Sequence, residues 1–302
     1  CGVTTAGDAY CWGRNKWGGR LGDGSTTDRN EPILVSGGLS WNSLTSGYLH
    51  TCGVTTAGDA YCWGGNDWGQ VGDGSSVLST VNGGTQSSPK LVNGGLSWTS
   101  MTIGSQHTCG VTMSGEAYCW GWNGTGGLGD GTSGESAERH TPTLVKGGLE
   151  WASVSGGIGT YSTCGVTTAG DAYCWGRGNF GRLGNGSTSN HSIPTLVSGG
   201  FTWGSISPGR DHTCGITADG VAYCWGDKAD GKLGFLGGGN SNRLEPALVN
   251  GGWIWESITA GQFHTCGLLK SIGVAYCWGS NPYGELGDQT NTLRRTPVKV
   301  GG

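Results

Sequence analysis

The chain has 302 residues, 65 of them glycine, and a net charge of −4. That mild acidity gives no charged surface suited to nucleic acid or an anionic membrane, and no apolar run reaches the ~18 residues of a membrane span. Glycine at about three times ordinary usage without a Gly-X-Y period excludes collagen, while 15 Trp and 9 Tyr supply large apolar surfaces at a few positions.

The first element along the chain is a cysteine pair, Cys1 and Cys11, flanking GVTTAGDAY. It recurs as Cys52/Cys62, Cys109/Cys119, Cys164/Cys174, Cys214/Cys224 and Cys266/Cys277. The first cysteines of successive pairs lie 51, 57, 55, 50 and 52 residues apart. A period near 50 residues made of strand and turn signals predicts a radial or stacked array rather than one globular core. Cys1-Gly2 would suit a lipoprotein start, but Cys1 is in phase with five other first cysteines and is read as a repeat position. The chain begins in the middle of a repeat, so the N-terminal repeat is read as incomplete within a single domain spanning residues 1–302.

A full unit can be followed from Leu39. Four β-type segments are expected: Ser40–Thr45, Leu49–Thr55, Asp59–Gly64, and one following a proline, as Ile33–Val35 does before Leu39. If Cys52 faces Cys62, then Gly53 faces Tyr61, Val54 faces Ala60, Thr51 faces Trp63 and His50 faces Gly64. Thr56-Ala57-Gly58 is left as a three-residue loop with Gly58 at its left-handed position. Facing Cα atoms in such a pair approach to roughly 4.5 Å, within disulfide range. The same register lays Tyr61 across the bare backbone of Gly53. The sixth pair holds one extra residue, which the hairpin tip should absorb. Zinc is the rival explanation of the cysteines, but no C-x2-4-C knuckle is present. Disulfides are the favoured reading and imply an oxidising compartment.

HTCGVTTAGDAYCWG, an aromatic-Gly-x-Leu-Gly-Asp-Gly turn and a distal proline–valine strand together resemble the regulator of chromosome condensation repeat. The likeness is strongest to the bacterial, cysteine-containing secreted type, and it recurs six times. It implies an all-β fold, a β-propeller of four-stranded blades with six repeat units in this chain, or part of a seven-bladed propeller. Six Cys-Trp hairpins are present, but the preceding strand occurs five times, at Trp41, Trp98, Trp151, Trp203 and Trp255. The missing strand of the first unit is expected from residues beyond the chain, from a neighbouring molecule, or from Val298–Gly302. The family includes a nuclear exchange factor, a secreted inhibitor and a plant light sensor, and none of these roles transfers by motif.

Several repeated positions invite functional readings. His50, His107, His212 and His264 precede the first cysteine by two residues, with Ser162 in the fourth unit. Each is expected to cap a neighbouring blade's backbone, since a catalytic base would occur once. Trp12, Trp63, Trp120, Trp175, Trp225 and Trp278 are expected to pack between blades. The less regular aromatics Trp17, Trp68, Phe180 and Tyr283 in the Gly-rich loop, with Trp122 and Trp253 lacking repeat counterparts, are the candidate contacts for a partner or a glycan. Asp23, Asp73 and Asp130, with Asn185 in the fourth unit, lie in the Leu-Gly turn, where one carboxylate is too few for calcium. Asn123, Asn185 and Asn190 open glycosylation sequons. The longest insertions are Val77–Ser88 and Ser133–Thr141.

The sequence thus points to a non-enzymatic extracellular propeller that binds protein partners or assembles on a cell surface. A carbohydrate-binding module using the irregular aromatics is the alternative. No cofactor, metal, nucleic acid or membrane span is expected, and no unique acid–base pair marks an enzyme.

Overall fold

Each repeat folds around its cysteine hairpin. A computed structural model describes residues 1–16, 18–76, 85–157, 159, 161–237, 241–270 and 273–301. The first sheet has three strands, β1 (Gly2–Val3), β2 (Ala9–Gly13) and β3 (Arg29–Leu34). The second holds β4 (Trp41–Ser46), β5 (His50–Thr55), β6 (Ala60–Gly65) and β7 (Thr85–Leu91). The third holds β8 (Trp98–Ile103), β9 (His107–Thr112), β10 (Ala117–Gly121) and β11 (Arg139–Leu144). The fourth holds β12 (Trp151–Gly156), β13 (Ser162–Thr167), β14 (Ala172–Gly176) and β15 (His191–Leu196). The fifth holds β16 (Trp203–Pro208), β17 (His212–Thr217), β18 (Ala222–Gly226) and β19 (Arg243–Leu248). The sixth holds β20 (Trp255–Ala260), β21 (His264–Leu269), β22 (Ala275–Gly279) and β23 (Arg294–Lys299). Spatial order follows chain order in every sheet. The chain divides into two compact units, Cys1–Val154 and Ser155–Gly302, with β12 crossing the boundary.

The turn sets the register, as its length requires. Cys52 pairs with Cys62, Gly53 with Tyr61, Val54 with Ala60, Thr51 with Trp63 and His50 with Gly64. Gly58 has φ +87°, and Gly7, Gly115, Gly170 and Gly220 match it at +81 to +91°. Six disulfides follow: Cys1–Cys11, Cys52–Cys62, Cys109–Cys119, Cys164–Cys174, Cys214–Cys224 and Cys266–Cys277. Their Cα atoms lie 4.0–4.1 Å apart. The sixth hairpin keeps its pairing, with Cys266 opposite Cys277, and takes up its extra residue beyond the pair Leu268–Ala275. Non-reducing peptide mapping should recover each bridge within its own hairpin, and one inter-repeat bridge would overturn this register.

Three expectations change. The ring over Gly53 is not Tyr61 but Trp41 from β4: a Cβ on Gly53 would lie 2.7 Å from the Trp41 ring. Trp98, Trp203 and Trp255 cover Gly110, Gly215 and Gly267 in the same way. The innermost strand therefore brings its own indole, which meets Tyr61 edge-on at 5.9 Å. Next, the outer strand does not start after its proline. Pro32 lies inside β3, in the stretch where the register shifts between Cys11 and Gly13, and an outer strand at a bulge is where a residue without an N–H is tolerated. Lastly, Val298 and Lys299 pair with Cys277 and Tyr276, so that segment serves as the outer strand of the sixth sheet.

Adjacent repeats are joined through one backbone carbonyl. Trp63 Nε1 and Thr51 Oγ1 both donate to Arg20 O, each at 2.9 Å. Trp120 and Thr108 do the same to Gln70 O, Trp225 and Thr213 to Arg182 O, and Trp278 and Thr265 to Lys232 O, at 2.7–3.0 Å. Trp63, Trp120, Trp175, Trp225 and Trp278 are fully buried, whereas Trp12 is half exposed. The indole needs a glycine beside it: a Cβ on Gly72 would lie 2.5 Å from Trp120 Nε1.

Candidate functional site

His50, His107 and His212 are buried and His264 is half-buried, and His50 and His212 meet a threonine hydroxyl rather than backbone. His50 Nε2 lies 2.8 Å from Thr108 Oγ1, and His212 Nε2 lies 2.8 Å from Thr265 Oγ1. The single hydroxyl proton of each Thr goes to the carbonyl of Gln70 or Lys232. The histidine must therefore donate from Nε2, which leaves Nδ1 bare, and no partner meets Nδ1 of His50 or His212. Burial pushes His50 and His212 down to about 3 and His107 to about 4. A neutral, fully buried imidazole tied to a neighbouring repeat is a structural part.

The end of each sheet where histidine faces glycine also carries the short turns between the first two strands and the long Leu-Gly loops. Each Leu-Gly loop is preceded by a variable residue: Arg20, Gln70, Gly127, Arg182, Lys232 and Glu285. Its carbonyl joins the repeats as described above for four of these positions, and the side chains of Arg20 and Arg182 reach the surface turns between the first two strands. Arg182 is 1% exposed, donates through Nε to Asn179 O at 2.9 Å and through Nη2 to Asp211 at 2.8 Å, and also reaches Arg210 O. Burial lowers its guanidinium below the ordinary range, while Asp211 pulls it back up. Its charge sits 5.6 Å from the Phe180 ring. Arg210 lies over Phe263 at 5.2 Å, and its N–H bonds Gly261 O at 3.1 Å. Lys232 is equally buried, bonds Asp227 at 2.6 Å and faces the same Phe263 ring at 5.9 Å. Burial raises the Asp227 carboxyl, but Lys232 and the Ala229 N–H outweigh it and hold it below the ordinary range. In the first unit Arg20 makes the same move, donating to Tyr48 O at 2.5 Å beneath an exposed Tyr48 ring.

The aromatic residues singled out from sequence fall in different settings. Trp17 lies outside the described residues, as do residues 77–84 of the longest insertion. Phe180 is 40% exposed and Tyr283 91% exposed. Trp68 and Trp122 are half-buried. Trp253 packs on Tyr276 at 4.7 Å and Trp255 at 5.8 Å. It has a counterpart after all: Phe201 packs identically on Tyr223 and Trp203, and Leu39 and Leu96 also pack into their cores. The sequence reading passed over Tyr48, Arg210 and Phe263. The signal that could have found them was the switch of the residue before Leu-Gly to Arg or Lys.

The turn carboxylates serve the loops. Asp23 and Asp288 each accept from an arginine and a hydroxyl of the same loop, and no group of three His, Cys, Asp or Glu suited to a metal occurs among the described residues. Asn123 is 1% exposed, and its amide is engaged by Asp130 and Thr132, which removes it as an accessible sequon.

Antiparallel meanders stapled by a disulfide, four of them hung from the previous one by Trp and Thr on one carbonyl, define a β-propeller repeat protein with pinned blades. The chain belongs to the regulator of chromosome condensation (RCC1) repeat family. One RCC1 repeat model matches residues 57–111, 114–162 and 169–216, and a second matches 41–70, 98–126, 205–231 and 255–285. The ultraviolet-B receptor UVR8 of Arabidopsis thaliana is 30% identical over 197 residues, covering 65% of this chain and 43% of the receptor. The human E3 ubiquitin-protein ligase HERC2 is 30% identical over 207 residues, covering 65% of this chain and 4% of the ligase. The chain thus spans under half the length of these relatives. Among solved structures, yeast RCC1 (Prp20) bound to Kap60 superposes with a TM-score of 0.82 at 18% identity, over 99% of this chain and 72% of that one. Human WBSCR16 gives 0.78 at 22% identity, over 90% and 71%. These likenesses show the RCC1 propeller fold.

Proposed function

We propose that the chain is a non-enzymatic protein-binding platform working outside the cell, with its contact surface on the loops at the histidine end of the sheets. The observation that carries this reading is the pinned cation–aromatic surface of residues 155–302. Two fully buried cations, Arg182 and Lys232, fasten the loops beneath exposed Phe180, Arg210 and Phe263. Aromatic and arginine side chains dominate binding energy at protein interfaces, and holding them in place beforehand lowers the entropic cost of binding. One solved relative, yeast RCC1 (Prp20), binds proteins: it is bound to Kap60 in one structure and has binding properties toward Gsp1p and histones. The six disulfides are consistent with an oxidising compartment and support the extracellular part of the reading.

Affinity capture from the culture medium or envelope of the source organism tests this. A partner held by the native chain should be lost more than tenfold with Arg210→Glu or Phe263→Ala, with the melting temperature unchanged. Retention by both variants would remove the surface from the function. Binding on a glycan array that is lost with Tyr283→Ala would favour a sugar-binding role instead.

A further inference from the structure

Three of the six repeats hold one internal ion pair at the same place, and the fifth keeps only its cation. Arg29, Arg139, Arg243 and Arg294 open the outer strands opposite Gly13, Gly121, Gly226 and Gly279. Three of these guanidinium groups hold the aspartate of their own Leu-Gly turn. Arg29 Nε and Nη2 donate to Asp23 at 2.9 and 2.8 Å, Arg139 Nη2 meets Asp130 at 2.7 Å, and Arg294 Nε donates to Asp288 at 2.7 Å. In the second repeat the acid Asp73 stays and Gln86 takes the arginine's place, and in the fourth both members change, to Asn185 and His191, bonded at 3.0 Å. In the fifth repeat the acid alone is replaced, by Phe235, and the arginine stays.

The consequence is a guanidinium without its carboxylate. Arg243 lies over the Phe235 ring at 5.4 Å, its Nε is buried with no hydrogen-bond partner, and it forms no ion pair among the described residues. Glu245 lines the same hollow and leaves Arg243 unpaired as well. That hollow measures about 640 Å³ and runs along β19, with Phe235, Leu236, Asn242, Arg243, Leu244 and Leu248 on its walls. Lys228 approaches the Phe235 ring at 5.6 Å, adding positive charge beside it.

We infer that this hollow receives a carboxylate from outside, the Asp or Glu side chain of an acidic–aliphatic peptide segment, in the place that Asp23, Asp130 and Asp288 fill in the sister repeats. A guanidinium fork matches a carboxylate bidentately and bonds it more strongly than a neutral group. The neighbouring walls select the flanking residues. Leu236 and Leu248 are 65% and 54% exposed, suiting aliphatic side chains. The Phe235 ring, against which a sugar would stack, is taken up by Arg243 and Lys228. The site shares no residue with the Phe180–Arg210–Phe263 surface, so either can fail alone.

Proton–nitrogen NMR of arginine Nε–H groups in the full chain tests this, with Ac-Leu-Glu-Leu-NH2 as the probe and Arg243→Gln assigning the resonance. The Glu peptide should shift the Arg243 Nε–H signal. The Gln analogue should bind at least tenfold more weakly, a comparison that needs no change to the protein. Phe235→Asp restores the internal pair and should abolish the peptide shift while leaving the fold intact. Equal response to the Glu and Gln peptides, no shift at millimolar peptide, or a shift produced by trigalacturonate and not by peptide would each overturn the assignment.

Discussion

Acidification from pH 7 to about pH 4.5 is expected to weaken the fold by several kcal/mol, read as a falling midpoint of denaturant unfolding. His50, His107 and His212 stay neutral in the folded chain down to about 3, 4 and 3 respectively, whereas unfolded histidine binds its proton at about pH 6.5. Below that value the unfolded state holds more protons than the folded one, so stability is complete above about pH 6.5 and declines as pH falls. Each such histidine contributes a slope of about 1.4 kcal/mol per pH unit. The carboxylates held low by hydrogen bonds, Asp23, Asp130 and Asp227, add their own loss below their ordinary titration range. Replacing His50 and His212 with Gln should flatten the slope between about pH 6.5 and 4.5. A native chain with a flat profile there would show that these rings are not buried and neutral.

Trp120→Ala should destabilise the fold by about 3–5 kcal/mol, the range for deleting a large buried aromatic. The indole is fully buried, packs against Trp98 at 5.6 Å and donates to Gln70 O at 3.0 Å. Its removal opens a cavity and strips one of two donors from a carbonyl that joins two repeats. Trp12 has the same place in its hairpin but is 49% exposed. Trp12→Ala should therefore cost well under half as much. Equal losses at the two positions would mean that the hairpin alone, and not the junction between repeats, gives the indole its energetic weight.

Local geometry was legible in the sequence, and contacts across strands and repeats were not. The three-residue loop at Thr56–Gly58 fixes the Cys52–Cys62 register through one left-handed glycine, so the disulfide follows from a dozen consecutive residues. Which ring covers Gly53 depends on β4, which lies on the other side of the hairpin and whose offset no turn rule specifies. The histidine contact was half legible: the facing glycine showed that room was needed, but the Thr108 hydroxyl belongs to the next repeat, 58 residues on. Among the candidate contacts, Phe180 and Tyr283 reached the surface because loop residues tend to, whereas Trp253 was misjudged as unpaired with the repeat because its counterparts are Phe201 and leucines. Arg243 gave its signal only by comparison, as an arginine kept in place after its acid had gone.

The junction through a main-chain carbonyl has an evolutionary corollary. Trp and Thr of one repeat recognise the backbone of the previous one at Arg20, Gln70, Arg182 and Lys232, so the mechanical link is indifferent to which side chain that residue bears. Substitution there leaves the joint standing while altering what is displayed above it. A lineage can thus revise this position one repeat at a time, drifting from amide to cation to acid, without renegotiating the architecture at each step.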